Sequence, residues 1–425
     1  MKLSEDQNLA LDAMERGESV FLTGGAGTGK TALVNEFVRR RSGKSIARLA
    51  STGAAAQLIG GQTLHSFFSL GIDIHMPHKT RVPERLKQKI KATKTFIIEE
   101  ISMARIDHFQ AIRDRLFGSA KGFGPFAGYQ LIVVGDFAQL PPVLPEAEMR
   151  VIEELYGEGS QYAFQSRHWA GLCRHELTTV HRQASDREFA AWLNVMRSGE
   201  VPDLDYINSR IGAPDQAATY LVATNRAADV INADAMARLP GGHYKIEGEV
   251  RNNFSDRNMR VPTVLRLKPG SRIIICANNP QQGYVNGSTG VLVSCSRAED
   301  GKPVATVNLD DGRQVRVVQA LWENVSYDLG PDGIQKNTLG AYRQLPLMPG
   351  WAITIHRSQG MSLDRLHVDP RGIFEAGQAY VALSRATSLR GLSLAAEIRP
   401  EHLIIDERVR GFMRETEQDA SPVPG

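Results

Sequence analysis

Cysteine is scarce in this sequence of 425 residues, and the three present are Cys173, Cys276 and Cys295. None forms a CxxC pair or has a histidine at ligand spacing, which argues against a disulfide framework and a zinc site. Long apolar runs are also missing, since no stretch approaches the roughly 20 residues that span a bilayer. The first residues lack the apolar core of a signal peptide. We therefore expect a cytoplasmic protein without a membrane partner.

A dominant charge of either sign is missing too. The 50 basic and 47 acidic residues leave a net charge of +3, which permits a nucleic-acid partner without indicating one. The apolar content of 42% and charged content of 23% are typical of a globular protein. The length predicts two or three domains. Composition alone therefore names no function.

Short apolar runs alternate with helical patterns in the first half of the chain. Residues 20–23, 95–98 and 131–134 are such runs, and residues 31–41 have a helical pattern. Buried runs of this length between helices are typical of parallel strands covered on both faces. The alternation predicts an α/β fold with a doubly wound sheet.

A second α/β unit is predicted from about residue 176. It includes a strand at residues 220–223 and a helix at residues 227–239, and the pattern resumes at residue 350 after an interruption. Strands that alternate with helices again favour a parallel sheet.

Two segments interrupt these units. Residues 70–94 contain prolines and a lysine-rich amphipathic helix at 84–94, and we interpret them as a small insertion. Residues 260–341 contain short strands separated by turn signals, a pattern that predicts a small barrel. The polar end of the chain, residues 418–425, has the composition of a disordered tail.

A complete GxxxxGK[ST] motif lies between the first predicted strand and the first predicted helix. Glycines let backbone N–H groups turn toward phosphates, and the helix N-terminus favours their negative charge. In this motif the lysine reaches the β and γ phosphates and the hydroxyl binds magnesium. The motif predicts nucleotide binding, and a glycine-rich turn without a ligand is the alternative. Its residues are Gly24, Gly25, Ala26, Gly27, Thr28, Gly29, Lys30 and Thr31.

Polar residues follow the second and third strands of this unit. Glu99 is the candidate magnesium ligand, directly or through water, and Glu100 is the candidate that polarises the attacking water. Gln139, in the segment GDFAQLPPV, is a candidate sensor of the γ-phosphate, because ligands gather at the carboxyl ends of parallel strands. A solvated acid pair and an ordinary turn are the alternatives.

Arginines in the second half favour a motor over a P-loop kinase. A kinase needs only one nucleotide fold and an acceptor pocket, so it would not require them. Arg182 and Arg385 are candidate arginine fingers that stabilise charge in the transition state. For each of them, a surface position is the alternative. With Lys30, Glu100 and Gln139 they complete the predicted catalytic set.

Donor groups near aromatic residues favour contact with a nucleic-acid strand, because phosphates and sugars accept hydrogen bonds and bases stack on rings. Core packing is the alternative for the histidine and the aromatic ring of the first half. The candidates are Thr52, His65 and Phe67 in the first half and His356, Ser358 and Gln359 in the second.

Further segments complete an ordered series along nearly the whole chain. The series resembles the superfamily 1B DNA helicases, most closely the Pif-one (petite integration frequency) family, with the RecD-like enzymes next. A P-loop alone is shared by many families, whereas the ordered series is specific. Its segments are residues 3–7, 51–56, 61–66, 107–128, 135–143, 180–183, 223–229, 344–347, 351–360 and 380–385.

The resemblance implies two RecA-like P-loop NTPase domains with ATP and Mg²⁺ between them and single-stranded DNA across both. It also implies a wedge insertion, an SH3-like β-barrel and movement in the 5′ to 3′ direction. We expect a monomeric motor that acts on single-stranded DNA and on duplexes with a single-stranded tail. The resemblance further implies nucleotide contacts for Gln7 and Gly360, and DNA contacts for Gly53, Pro142, Val143, Thr224 and Asn225.

The resemblance also assigns domain boundaries. The first RecA-like domain comprises residues 1–66 and 95–175, with the wedge insertion at 67–94. The second comprises residues 176–259 and 342–410, with the SH3-like insertion at 260–341 and a flexible tail at 411–425.

Four residues depart from the family pattern. Glu99 stands in place of an aspartate, His181 of an aromatic residue, Arg357 of a lysine and Ala127 of a glycine. The extra methylene of Glu99 moves its carboxylate by about a bond length, which perturbs the strict octahedral shell of magnesium. The alternative to a helicase is therefore a helicase-like protein that binds ATP and DNA and hydrolyses ATP weakly.

Overall fold

The computed structural model describes residues 3–41, 45–70, 74–76, 82–120, 122–252, 254, 259, 261–330 and 333–418. The chain divides into two units, Met1–His181 with Glu323–Leu339, and Arg182–Trp322 with Gly340–Gly425. Among the described residues, no helix combines the length and the apolar character that a membrane crossing requires.

Six parallel strands form the sheet of the first unit, in the order β3-β2-β4-β5-β1-β6. The central strands β1, β4 and β5 are buried along their whole length, which confirms their prediction from apolar runs. The strands are β1 (Val20–Gly24), β2 (Ile46–Ala50), β3 (Gln62–Thr63), β4 (Thr95–Glu99), β5 (Gln130–Val134) and β6 (Cys173–Leu177).

Helices cover this sheet. The first begins at a capping box in which Ser4 and Gln7 exchange hydrogen bonds, which satisfies N–H groups that a helix start leaves open. The first two helices bury apolar side chains such as Leu11 and Phe37 against the strands. The helices are α1 (Glu5–Glu15), α2 (Lys30–Arg40), α3 (Gly53–Leu58), α4 (Leu64–Phe68), α5 (Glu84–Ala92), α6 (Ile106–Phe117) and α7 (Glu146–Tyr156).

Strand β6 extends the first unit beyond the boundary predicted at residue 175. It pairs in parallel with β1, from Val20 opposite Cys173 to Gly24 opposite Leu177. The first unit therefore continues to His181. Polar residues dominate β6, so no apolar run marks it as part of this sheet.

The second unit contains a smaller parallel sheet in the order β18-β7-β19-β20. Its helices are α8 (Arg187–Arg197), α9 (Leu204–Asn208), α10 (Asn225–Arg238), α11 (Gln378–Leu383) and α12 (Glu407–Gln418). The remaining strands of the chain are β7 (Thr219–Val222), β8 (Tyr244–Glu247), β9 (Glu249–Asn252), β10 (Val264–Leu267), β11 (Arg272–Ile275), β12 (Thr289–Arg297), β13 (Pro303–Leu309), β14 (Gln314–Val318), β15 (Ala320–Gly330), β16 (Gly333–Gln344), β17 (Leu347–Pro349), β18 (Ala352–Thr354), β19 (Leu366–Val368) and β20 (Leu392–Leu394).

An antiparallel sheet in the order β14-β13-β12-β11-β17 occupies the segment predicted to be a barrel. Its apolar side chains, among them Ile273, Leu292 and Val307, form a separate core. Strand β17 lies beyond residue 341, so the sheet uses residues from both sides of that predicted boundary. The SH3-like assignment remains a prediction.

The C-terminal helix reaches into the segment predicted to be a flexible tail. Helix α12 continues to Gln418. Val409 and Met413 are both buried, because residues four apart lie on the same face of a helix. Residues 411–418 are therefore helical, and the predicted disorder of residues 419–425 lies outside the described part of the chain.

Candidate functional site

The glycine-rich loop joins β1 to α2, as predicted. Gly29 precedes the first residue of α2 with a φ of +84°, in the left-handed region that favours glycine. A β-carbon at this position would lie 2.8 Å from Nε2 of Gln7. The Thr28 hydroxyl donates to the Gly25 carbonyl at 2.9 Å and closes the turn. The loop geometry therefore requires glycine at position 29.

Lys30 holds its ammonium group over this loop. Nζ donates to the carbonyl oxygens of Gly24 at 2.7 Å and Gly25 at 3.0 Å. Thr31 follows in the first turn of α2, and its side chain is exposed. A cation and a hydroxyl therefore stand at the N-terminus of a helix, where anions bind favourably.

Gln7 connects the start of the chain to the loop. Its side chain is fully buried, and Nε2 donates to the Thr28 carbonyl at 3.2 Å. The same nitrogen lies 3.2 Å from Nε2 of His181, whose backbone N–H donates to the Gly27 carbonyl at 2.9 Å. Gln7 and His181 thus stand together beside the loop.

Asp6, which was not among the predicted site residues, joins the start of α1 to the segment that follows β6. Its carboxylate accepts hydrogen bonds from the backbone N–H groups of Thr178 at 2.7 Å and Thr179 at 3.0 Å. Burial opposes ionisation, but these bonds and one from the Ser4 hydroxyl lower the pKa of Asp6 to about 2. No local sequence signal marks Asp6, because its backbone partners at residues 178 and 179 are distant in the chain.

The acid pair lies at the end of β4. Glu99 is 5% exposed, and among the described residues its Oε1 has no hydrogen-bond partner. Burial and the neighbouring charge of Glu100 raise the pKa of Glu99 to about 7, against the opposing charges of Arg48 and Lys30. Glu100 adopts a φ of +54°, which turns the chain directly after the strand.

Gln139 stands in the turn that follows β5. The turn is closed by the Gln139 backbone N–H, which donates to the Asp136 carbonyl at 3.0 Å. Both side chains are at least nine-tenths buried, and Nε2 of Gln139 lies 3.4 Å from a carboxylate oxygen of Asp136. The Gln139 amide is therefore held by its own turn.

Sheet order brings these groups to one edge. Strand β5 pairs in parallel with β1 on one side and with β4 on the other. The glycine loop, the acid pair and the Gln139 turn therefore follow three adjacent strands at their carboxyl ends. Open α/β sheets bind their ligands at this edge.

The two predicted arginines lie together in the second unit. Arg182 donates to the Ser362 hydroxyl at 2.7 Å and to the Ser384 carbonyl at 3.0 Å. Arg385 is 2% exposed and donates to the Val381 carbonyl at 2.9 Å. Burial and the charge of Arg385 lower the pKa of Arg182 to about 9, so the Arg182 guanidinium remains cationic at neutral pH.

The predicted strand-binding residues of the first unit have different environments. Thr52 accepts a hydrogen bond from the Ala55 N–H at 3.2 Å at the start of α3, where Gly53 is half-buried. The half-buried His65 ring lies 4.4 Å from the His108 ring in an edge-to-face arrangement. Burial lowers the pKa of His65.

Phe67 lies in the core, so its prediction as a strand-binding residue is wrong. Its ring is completely buried and packs against Phe68 and Phe96 at centroid distances of 4.9 and 5.7 Å. A ring in this position cannot stack on a base, so the core-packing alternative holds. Of the two residues after Leu140–Pro141, Pro142 is buried and Val143 is 70% exposed.

The predicted strand-binding residues of the second unit also differ in exposure. Thr224 and Asn225 are exposed at the start of α10, and Nε2 of the half-buried His356 lies 3.5 Å from Glu375. Ser358 is completely buried, and its hydroxyl donates to the Ile355 carbonyl at 2.7 Å. Direct contact between Ser358 and DNA is therefore contradicted, because the hydroxyl holds the turn.

Two further predicted residues follow this turn. Gln359 is half-buried, and its Nε2 has no hydrogen-bond partner within the described ranges. Gly360 has a φ of +74°. The turn therefore contains one side-chain amide nitrogen, that of Gln359, which donates a hydrogen bond to none of the described residues.

The raised pKa of Glu99 predicts a pH-dependent gain in stability for the Glu99→Gln variant. The folded pKa of about 7 exceeds the unfolded value of 4.5, so ionisation favours the unfolded state as the pH rises between these values. We expect the gain over the wild type to be about 2 kcal/mol larger at pH 8 than at pH 5. Urea denaturation at both pH values measures it.

The exposed Glu158 provides the control, because Glu158→Gln removes a carboxylate without burial. Its denaturation midpoint should follow the wild type at both pH values. An equal effect of Glu99→Gln at pH 5 and pH 8 would contradict the raised pKa.

Comparison with known proteins places the chain in a family. Residues 2–206 match the model of the PIF1-like helicases. The chain is 32% identical over 436 residues to the ATP-dependent DNA helicase Pif1 of Bdellovibrio bacteriovorus, covering 98% of this chain and 93% of that protein. It is 33% identical to human ATP-dependent DNA helicase PIF1 over 97% of this chain and 63% of the human protein, so it spans less than two thirds of that relative.

Solved structures of Pif1 helicases are also similar to this chain. Bacteroides sp Pif1 in complex with ADP-AlF4 has a TM-score of 0.90 and 29% identity, over 99% of this chain and 98% of that one. The Bacteroides helicase in complex with ADP-AlF3 and single-stranded DNA has a TM-score of 0.67 at 29% identity over the same shares. On the sequence identity and coverage of these relatives, the chain belongs to the PIF1-like helicase family.

Proposed function

We propose that this chain is an ATP-dependent DNA helicase that moves 5′ to 3′ on single-stranded DNA and unwinds the duplex ahead of it. The observation that carries the proposal is the convergence of Lys30, Glu100 and Gln139 at the carboxyl edge of one sheet. These are the groups that phosphoryl transfer to water requires. Relatives named ATP-dependent DNA helicases and a neighbour bound to single-stranded DNA support the choice of substrate.

Each residue at this edge has a separate task in the proposal. The Lys30 ammonium neutralises charge on the β and γ phosphates, and Gln7 with His181 contacts the base. Glu100 accepts a hydrogen bond from the attacking water and polarises it, while the Gln139 amide orients it. Arg182 and Arg385 supply further positive charge during turnover.

The donor set of the first unit fits Mg²⁺, which prefers oxygen ligands and keeps several waters and phosphate oxygens in its shell. Thr31 supplies a hydroxyl, and Glu99 supplies a buried carboxylate oxygen that no described residue binds. An oxygen of this kind in a folded protein calls for a ligand or a water. Bound magnesium would offset the negative charge of the phosphates.

Unwinding of tailed duplexes tests the proposal. We expect the wild type, as a monomer, to open a duplex with a 5′ single-stranded tail when ATP and magnesium are present. A duplex with a 3′ tail should remain closed, and Lys30→Ala should open neither. Strand separation is measured by the fluorescence of a labelled strand. Opening of the 3′-tailed substrate alone would refute the polarity.

The environment of Glu99 favours a second candidate, a protein that binds ATP and DNA and hydrolyses ATP weakly. A carboxyl with a pKa near 7 is partly protonated at neutral pH, and the protonated form is a poor ligand for magnesium. Under this candidate neither duplex opens, and DNA-stimulated phosphate release stays at background until Glu99→Asp restores it. DNA-stimulated phosphate release by the wild type well above background would exclude this candidate.

A further inference from the structure

Helix α4 is short and depends on contacts at its ends. It comprises the five residues Leu64–Phe68 and carries His65, a predicted strand-binding residue. At its start, the Thr63 hydroxyl accepts a hydrogen bond from the Ser66 N–H at 3.3 Å, and Gln62 bonds to the Ser66 hydroxyl. A helix of this length is not stable by itself in water, so tertiary contacts must set its position.

Two cationic side chains hold the other end of α4. Nζ of Lys89 donates to the Phe67 carbonyl at 3.3 Å. Nε of Arg115 donates to the Phe68 carbonyl at 3.2 Å, and its Nη2 lies 3.4 Å from the Ser69 carbonyl. Three successive carbonyls at a helix C-terminus are thus bound by cations, which the helix dipole favours.

Both cations are buried, which makes the arrangement costly to break. Lys89 is 8% exposed and Arg115 is 6% exposed. The Lys89 ammonium also lies 3.9 Å from the centroid of the Phe67 ring, within the range of a cation–π interaction. A buried cation that loses such partners carries a large desolvation penalty. Phe67, Phe68 and Ser69 are therefore tied to these two side chains.

The two cations come from different parts of the first unit. Lys89 belongs to α5, inside the segment predicted to be the wedge insertion, and Arg115 belongs to α6. The backbone of Lys89 is held at the end of α5, since the Thr93 hydroxyl donates to its carbonyl at 3.0 Å. The bond from Lys89 Nζ to the Phe67 carbonyl therefore joins α5 to the end of α4.

We propose that Lys89 and Arg115 are positioning residues that set the orientation of α4, and with it His65, for binding of the DNA strand. Through Lys89, helix α5 is linked to α4, the helix that carries His65. The inference rests on the proposed function, because it concerns the grip on DNA. Neither residue takes part in the nucleotide site at the carboxyl edge of the sheet.

The variants Lys89→Met and Arg115→Met test this link, because methionine keeps an unbranched apolar stem and removes the charged donor. We expect the concentration of single-stranded oligothymidylate that half-saturates ATPase stimulation to rise about tenfold, because a displaced α4 would cost about one hydrogen bond between His65 and the DNA. The KM for ATP and the rate without DNA should stay within about twofold, since the nucleotide residues are unchanged. Lys87→Met, on the same helix and partly exposed, is the matched control and should behave as the wild type.

The outcomes separate this inference from the proposed function. If the wild-type protein neither binds single-stranded DNA nor is stimulated by it, both the proposed function and the positioning role are contradicted. Unchanged half-saturation by DNA in both methionine variants would overturn only the positioning role. A KM for ATP that rises in parallel with the half-saturating DNA concentration would overturn it too.

If a methionine variant does not fold, Lys89→Arg and Arg115→Lys replace it, because they keep the charge and alter the geometry. A rise of about threefold in half-saturation is expected for these, since the two cations differ in donor geometry. Wild-type values in both would overturn the inference.

Discussion

Lys30→Ala is expected to lower the rate of DNA-stimulated ATP hydrolysis by at least ~100-fold, the cost of one preorganised group that stabilises transition-state charge. The Lys30 ammonium lies against the carbonyls of Gly24 and Gly25, at the start of α2. Alanine leaves the loop backbone in place and removes only the cation, so nucleotide binding should weaken as well. Phosphate release at saturating single-stranded DNA measures the rate.

Lys302→Ala is a suitable control for the loss of one lysine. Lys302 is half-exposed and forms a surface ion pair with Asp300 at 2.5 Å, a contact of little energetic value. This variant should retain wild-type turnover. If Lys30→Ala kept more than a tenth of the wild-type rate, the loop would not be the site of phosphoryl transfer.

Glu100→Gln is expected to reduce hydrolysis by about 100- to 1,000-fold and to leave the Kd for ATP within about threefold. Glutamine has nearly the same shape, so the turn at φ +54° should persist. The hydrogen bond from the Ser51 hydroxyl should persist too, because it is accepted by the backbone carbonyl of residue 100. Only the base that polarises water is lost. Single-turnover hydrolysis and binding of a fluorescent ATP analogue measure the two quantities.

The contrast with Lys30→Ala is the diagnostic feature. The lysine variant should lose both affinity and hydrolysis, whereas the glutamine variant should lose hydrolysis alone. The exposed Glu158→Gln should change neither. If Glu100→Gln kept more than a tenth of the wild-type rate of ATP hydrolysis, another group at this edge would have to act as the base.

Local sequence signals were sufficient for the centre of the nucleotide-binding edge. Strands β1, β4 and β5 are continuous apolar runs because both of their faces are covered, and the predicted limits agree with the structure within one residue at each end. The glycine loop is equally readable, since its backbone geometry demands glycine at defined positions. Lys30, Glu100 and Gln139 were found because each follows one of these strands.

Polar strands and buried polar side chains were less readable. Strand β6 has the sequence CRHEL, with an exposed first residue, and it joins the sheet only through its pairing with β1. Lys89 reads as one lysine of a solvated amphipathic helix, yet its ammonium is buried against Phe67. Neither property is encoded within a few neighbouring residues.

The primary structure alone determined the type of fold, the family and the chemistry at the sheet edge, because glycine turns, buried strands and their order are local features. Only the tertiary structure decided whether Phe67 and Ser358 face a ligand or the interior, and it buries both. It also decided that Glu99 is buried and that Lys89 and Arg115 bind the end of α4. Burial and partner choice depend on segments distant in the chain, so no local pattern specifies them.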